Sequence, residues 1–323
     1  MSDRLMFVQF PHLGAEHRPK SAVMPWNRHN HARKFLKIGG QYCADGKIQS
    51  GSFTFWGEWE PQSRIVAHFP DSEPGWPHYL HEPYWQLPAD GGWRQNTDPL
   101  VFGDHFLYSN CRQGQNRKLR ELASGSLVLF GSKLAGEFVV DTVFVVGDGG
   151  NESSSGSSGD LHCADWVQHV VFDPLSLAGT QPVHGYRLYR GRTREEAPDG
   201  PFSFVPCEPC RPGAVGFARP AIRLERRWIE PNLAMAAKAT PATRQELGEL
   251  WDQIVHQVDD RAGLALGVHL DVPVRVGGDT SIPVNQPYCQ PEDDASSFAG
   301  VTRGRCLEGV PFPIDEPCAP DPD

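Results

Sequence analysis

The chain lacks the long apolar run that a membrane helix requires: its 323 residues contain no stretch of about 18 consecutive apolar side chains. Its opening, MSDRLMFVQF, has no apolar core of signal-peptide length behind a basic start. These absences predict a cytoplasmic protein with no membrane partner. Also missing are the GxSxG nucleophile elbow, the GxxxxGK[ST] phosphate loop, a GxGxxG following a strand, and HExxH, which removes the commonest hydrolase, nucleotide-triphosphate, dinucleotide and zinc-protease readings. Cysteine is too sparse for a disulfide scaffold, with eight in the chain. Cys207 and Cys210 in CEPC have the spacing of half a zinc site, but no second CxxC or HxxxH completes it, so they read as loop cysteines. No metal or cofactor is expected.

What the chain has in quantity is glycine and proline, 33 and 29 residues, which predicts many turns and few long helices. Its length allows one large domain or two ordinary ones, with mass enough for a buried core. The net charge of -10 argues against nonspecific coating of nucleic acid. The charge is unevenly spread: residues 1 to 140 hold 15 Lys and Arg against 13 Asp and Glu, with 8 of the 13 histidines, whereas the remainder holds 15 against 27. An anionic partner would therefore meet the N-terminal half.

Along the chain, LMFVQF at residues 5 to 10 reads as a buried strand ended by Pro11. In WNRHNHARKFL, Asn30 is placed to cap a short helix carrying Arg33 and Lys34. GSFTFWGEWE alternates as a strand does, with Phe53 and Phe55 on one face, Trp56 and Glu58 on the other, and Gly57 as a bulge or close-approach point. Residues 70 to 99 show no periodicity and read as a long irregular loop. A short helical turn near residue 119 precedes SLVLFGS and EFVVDTVFVV, which read as two strands joined at LAG, the second covered on both faces. GDGGNESSSGSSGD, residues 147 to 160, has linker composition. WVQHVVF, YRLYRG, FSFVP and ARPAIRL are further strand candidates. Over residues 243 to 259, Thr243 with Glu246 forms a capping box ahead of an apolar stripe, the one convincing helix. The proline-rich acidic tail, residues 285 to 323, reads as surface wrapping or as partly disordered. The fold class expected is α+β, divided into residues 1 to 150, bearing a pocket, and a supporting β-rich region over 160 to 323.

Three N-terminal segments, NRHNHARKF, FWGEWEP and QNTDPLVFGDHFLYSNC, combine aromatic, amide, basic and carboxylate groups. A nucleobase is held by stacking on aromatic faces and by hydrogen bonds to its edge, while cations meet the flanking phosphates. Trp56, Trp59, Phe106 and Tyr108 are candidate faces; Gln95, Asn96, Asn110, His29, His31 and Glu60 are candidate edge or substrate contacts; Arg33, Lys34 and Arg112 are candidate phosphate contacts. Cleavage of an N-glycosyl bond develops positive charge on the sugar, which a carboxylate stabilises. Asp98 in QNTDP is the first candidate, supported by Asn96, with Asp104, Glu58 and Glu60 in reserve. Each residue also has a plain reading: tryptophans in strands are commonly core, Asp98-Pro99 is a turn former, and His29 and His31 lack a third ligand in the sequence.

GSLVLFGSKLAGEFVVDTVFVV resembles the central strand-turn-strand of PUA-like barrels, the EVE, ASCH and YTH domains among them. That resemblance implies a twisted barrel with an aromatic-lined pocket for modified bases. The wider series from FVQFPHLGAEH through MPWN, NHARKFL, FWGEWEP and YRLYRG to FARPAI is similar to a bacterial cytoplasmic family connected with antiviral DNA glycosylases that remove glucosylated hydroxymethylcytosine from phage DNA. QNTDP resembles the GQDP motif of uracil-DNA glycosylases, departing from it at Gln95 and Asn96. These resemblances imply excision of a modified base from DNA in anti-phage defence. A non-catalytic reader of modified bases in DNA or RNA, and a protein that binds a small nucleotide, are the alternatives.

Overall fold

The computed structural model describes residues 3–31, 33–148, 152–153, 164–177, 186–211, 216–233 and 236–277. Most of the 147 to 160 stretch, and all of the tail from 285, lie outside the described residues. The strands in chain order are β1 (Met6–His12), β2 (Val23–Met24), β3 (Arg33–Ala44), β4 (Lys47–Glu58), β5 (Ser63–His68), β6 (Tyr79–Trp85), β7 (Leu107–Tyr108) and β8 (Leu127–Leu134). They continue with β9 (Glu137–Val145), β10 (Glu152–Ser153), β11 (Arg187–Arg190), β12 (Val205–Pro209), β13 (Lys238–Pro241), β14 (Ala265–Leu270) and β15 (Val274–Arg275). Among the described residues, helix is confined to α1 (Asp165–Val167), a π-helical stretch Gln168–Phe172 and α2 (Asp173–Leu177), which run on from one another, to α3 (Arg244–His256) with its extension Gln257–Arg261, and to one 3-10 turn, Arg117–Arg120. The protein is thus mostly β with few helices, an α+β arrangement.

The long hairpin β3–β4 organises the larger sheet. Asp45 and Gly46 both take positive φ between its arms, the two-residue Asp-Gly turn whose twist matches that of paired strands. Twelve residue pairs follow without a register shift, from Ala44↔Lys47 to Arg33↔Glu58. β4 also pairs β12, β12 pairs β14, and β14 returns to pair the far half of β3, so four ladders close into a ring. The near half of β3 pairs β6 in parallel. In a second sheet, β1 lies between β13 and β8, and β8 pairs β9. Strands from residues 205 to 270 therefore pair directly with strands of the N-terminal half.

Alternation along β4 and just beyond it sorts side chains between two cores. Phe53, Phe55 and Trp59 enter one cluster with Phe10, Phe102, Phe130 and Tyr108; Trp56 enters another with Phe35, Phe7, Val143 and Leu250. The register runs straight through Gly57, so this glycine is a close-approach point and not a bulge: a Cβ there would lie 2.6 Å from the Phe55 ring. β9 is buried on both faces, as its apolar alternation requires. α3 begins at Thr243, whose side chain and that of Glu246 make the expected reciprocal cap, and it buries Leu247, Leu250 and Ile254.

Several sequence expectations are corrected. Asn30 caps no helix, because Arg33 begins β3, where pairing with β4 and burial override local capping propensity. WVQHVVF belongs to the helical run Asp165–Leu177, and the irregular stretch 70 to 99 contains β6. ARPAIRL contributes a single bridge, Ala221 to Val139, and within FSFVP the strand starts at Val205. Cys207 is a buried strand residue, not a loop one.

Phe55, fully buried with its ring edge against Phe102, has nothing to refill its volume if it is removed. Phe55→Ala should cost about 3–5 kcal/mol in denaturant unfolding, whereas Thr243→Ala should cost only about 1 kcal/mol through the lost cap. Equal losses would remove Phe55 from its core position.

Candidate functional site

The open end of the β3–β4 hairpin gathers charge in the interior. Arg33 and Glu58 are cross-strand partners, and their side chains meet with Arg33 Nη2 2.7 Å from Glu58 Oε2. The Arg33 Nε lies 3.6 Å from Asp141 Oδ2 on β9, and Asp141 Oδ1 accepts from Arg219 at 3.1 Å. Arg219 also donates to the Gly14 carbonyl at 2.8 Å and to Ser132 Oγ, and its guanidinium lies over the Trp56 ring, 4.2 Å from the centroid. All four charged groups are at least 95% buried. Burial without mutual pairing would be prohibitive, and the alternation of sign along the chain of contacts is what permits it.

At the outer end of this chain stands His31. Its Nδ1 is 3.2 Å from Glu58 Oε1 and 3.0 Å from Glu60 Oε1. Strand parity explains the convergence: residues 58 and 60 are two apart and share a face, while His31 precedes the opposite arm. Asn27 Nδ2 donates to Glu60 Oε2 at 2.5 Å, and the Asp98 N–H donates to Glu58 Oε1 at 3.0 Å. The Glu60 N–H is held by Thr97 Oγ1 at 3.1 Å. His31 keeps 37% of its side chain exposed, whereas Glu58 and Glu60 are enclosed, so the imidazole is the face this cluster turns to solvent. Burial disfavours the imidazolium, but the two carboxylates reverse that and raise His31 to about 11. For Glu58, burial is outweighed by His31 and Arg33, which hold its carboxyl well below the usual range. Glu60 is raised, by burial and by Glu58 beside it, against the opposing bonds from His31 and Asn27. Among the described residues, His31, Glu58 and Glu60 form the one group of three or more metal-ligating side chains close enough to share an ion.

Asp98 has a different task. Its Oδ1 accepts from Ser109 N at 2.9 Å, and its Oδ2 from Asn110 N at 2.8 Å and Cys111 N at 2.6 Å. Both oxygens are thus engaged in fixing the loop after β7, although burial raises the carboxyl to about 6 against those amides. Asn96 Nδ2 donates to Asn110 Oδ1 at 3.2 Å, and Gln95 Nε2 to the His29 carbonyl at 2.6 Å, so the amides tie segments 27 to 31, 95 to 98 and 109 to 111 together. Asp104 is exposed, outside this network.

The four aromatic candidates are interior residues. Trp56 packs edge-on against Phe35, Trp59 against Phe102, and Tyr108 stacks on Tyr189, while Phe106 is 3% exposed. Arg33 and Lys34 are buried too, so neither is placed to meet a phosphate in this arrangement; Arg112 lies 5.7 Å from the centroid of the Phe10 ring. Lys34 projects opposite Gly57 and donates to the Trp59 carbonyl at 2.8 Å and, more weakly, to Ser63 Oγ at 3.4 Å. His29 is exposed, its N–H bonded to Asn27 Oδ1. Arg28, three residues before His31, is ion-paired with Asp90 at 2.5 Å, and Trp93, 41% exposed, lies on the loop that Gln95 ties to His29. Sequence reasoning missed Trp93, Asn27 and the pairing of His31 with Glu58 and Glu60. The Asp-Gly at 45 and 46 was the available clue, because a tight hairpin there sets residue 33 opposite residue 58.

No protein-family model matches the chain, and no curated protein or solved structure matches it. Among the described residues, no helix is long and apolar enough to cross a membrane.

Removing Arg33 leaves Glu58 and Asp141 buried without a shared cation. Arg33→Met should cost about 3–5 kcal/mol, and Arg64→Ala, at the far more exposed Arg64–Glu82 pair, no more than about 1 kcal/mol, both read by denaturant unfolding. Lys34 gives a pH signature, since burial lowers its ammonium to about 8 against the attraction of Glu60 and Glu58. Between about pH 8 and 10.5 the unfolded chain holds a Lys34 proton that the folded one has released, a contribution on the order of 3 kcal/mol that grows with pH and opposes the loss from His31, which is raised to about 11. Lys34→Met should remove that contribution, so that stability falls more steeply over this range in the variant than in the parent; parallel pH profiles for the two would refute it.

Proposed function

We propose that the protein recognises a modified nucleobase in DNA and hydrolyses its N-glycosyl bond, leaving an abasic site. The observation that carries this reading is the convergence of two buried carboxylates, Glu58 and Glu60, on one half-exposed imidazole. Such a centre provides fixed negative charge beside a reacting bond and a polar group that reaches the substrate. Glu58, ionised beside Arg33, is suited to stabilise positive charge developing on the sugar. His31 hydrogen-bonds the departing base, and Glu60 with Asn27 fixes the imidazole in place. The role first given to Asp98 passes to Glu58, because three backbone amides already occupy the Asp98 carboxylate. Stacking passes to Trp93 and phosphate contact to Arg28, the exposed groups of the same rim.

The ring of ladders and the β8–β9 hairpin are compatible with a PUA-like twisted barrel elaborated by extra strands. The likeness of the wider series to antiviral glycosylases supports a cytoplasmic enzyme acting on phage DNA by base flipping. The enclosure of both carboxylates favours a second reading, in which they only orient His31 and the imidazole meets the base: a non-catalytic reader of DNA or RNA, or a small-nucleotide binder.

Incubation with plain, hydroxymethylated and glucosylated duplexes, followed by alkali, separates these readings. Strand breaks are expected in one modified duplex only, and Glu58→Gln should reduce them by roughly 100-fold or more while binding persists. Intact DNA throughout, with binding that falls steeply as salt rises, would replace the enzyme with a reader; salt-insensitive binding of free nucleotide would replace both.

A further inference from the structure

We infer that His31, Glu58 and Glu60 form a site for a single divalent transition-metal ion. The inference stands on ligand geometry and does not depend on the excision reading. Metal-nitrogen and metal-oxygen bonds of about 2.0–2.2 Å set the spacing of adjacent ligands at about 2.9 Å in an octahedral shell and about 3.4 Å in a tetrahedral one. The two distances from His31 Nδ1, 3.0 Å to Glu60 Oε1 and 3.2 Å to Glu58 Oε1, fall between these values. The three donor atoms all lie within 4.8 Å of one another, so small side-chain shifts bring them within the span of about 4.4 Å that two such bonds allow.

The surroundings assign one oxygen of each carboxylate to this point. Arg33 takes Glu58 Oε2 and Asn27 takes Glu60 Oε2, and both Oε1 atoms lie against the imidazole, that of Glu58 also accepting from the Asp98 N–H at 3.0 Å. These outer bonds hold the ligands as supporting groups do in metal centres generally. Two carboxylates match the charge of a divalent ion. One imidazole nitrogen with two oxygens suits zinc, manganese, cobalt or ferrous iron better than magnesium or calcium, which prefer oxygen alone. Three protein ligands leave coordination positions free, and the 37% exposure of the His31 side chain marks the side from which water or substrate would enter.

A buried ion pair between imidazolium and two carboxylates is the competing account, and it differs in a measurable way. The ion and a proton on Nδ1 exclude one another, so an ion at this point displaces that proton, while Nε2–H is left as the donor of the imidazole. Binding is read without any substrate, so the two proposals fail separately.

The test is equilibrium dialysis of the full chain, stripped with chelator, against Zn²⁺ and Mn²⁺, with bound metal measured by mass spectrometry. One equivalent is expected. Glu60→Gln, which preserves shape, and His31→Ala should each weaken affinity by 100-fold or more; Asn27→Ala, outside the ligand set, should weaken it by about 10-fold. Circular dichroism establishes that each variant is folded, and the Asn27 variant keeps the test open if a ligand variant is not. Co²⁺ provides the coordination signature, weak visible bands without thiolate charge transfer. Failure to bind at millimolar metal, equal binding by folded variants, or a thiolate band pointing to the cysteines would each overturn the site.

Discussion

The pairing of Arg33 with Glu58 across the hairpin governs everything polar at this end of the molecule. Each guanidinium or carboxylate taken from water costs several kcal/mol, and only close mutual contact with hydrogen bonding offsets that loss. From the pair, alternating charges extend inward through Asp141 to Arg219 and outward to His31 and Glu60. Three basic groups thus face three carboxylates. The array is therefore cooperative: a change at Arg33 unbalances both Glu58 and Asp141, and through Glu58 the position of His31. Arg33 and Glu58 sit at the ends of two long antiparallel strands whose register admits no shift between them, and His31 and Glu60 follow just beyond those ends. Preorganisation of this kind is what a binding or catalytic centre requires of its scaffold.

The same strand shows how much the sequence carried. In FTFWGEWE the period of two was readable, and it correctly sent the phenylalanines to one side and Trp56 with Glu58 to the other. Carrying that parity through Gly57 would also have placed Trp59 in the phenylalanine core and Glu60 beside Glu58. The β8–β9 hairpin and the capped helix α3 were legible for the same reason, since local period and turn chemistry agreed with the final packing.

What was not legible depended on partners distant in sequence. Asn30 has the chemistry of a cap, yet pairing with β4, β6 and β14 decides the state of the residues that follow. Asp98 reads as an exposed turn acid until the amides of residues 109 to 111 close around it. His31 lacked ligands only because they lie 27 and 29 positions along the chain, beyond any spacing rule. The four aromatic candidates had the right chemistry for stacking on a base, but β-sheet burial claimed them first, and the loop residue Trp93 kept its exposure.

Burial also changes how the charge gradient should be read. Within residues 1 to 140 it withdraws Arg33, Lys34 and Arg94 from the surface, and equally Glu58, Glu60 and Asp98. The surface balance of that half stays near neutral, so any grip on a polyanion must be local and not a broad field. Arg28, three residues before the half-exposed His31, is itself paired with Asp90 at 2.5 Å, next to a centre whose charge is balanced internally. A ligand entering there meets one imidazole and, behind it, two carboxylates already oriented by Arg33 and Asn27. Whether a proton or a metal ion occupies the point where those three groups meet then decides which chemistry the same scaffold can perform.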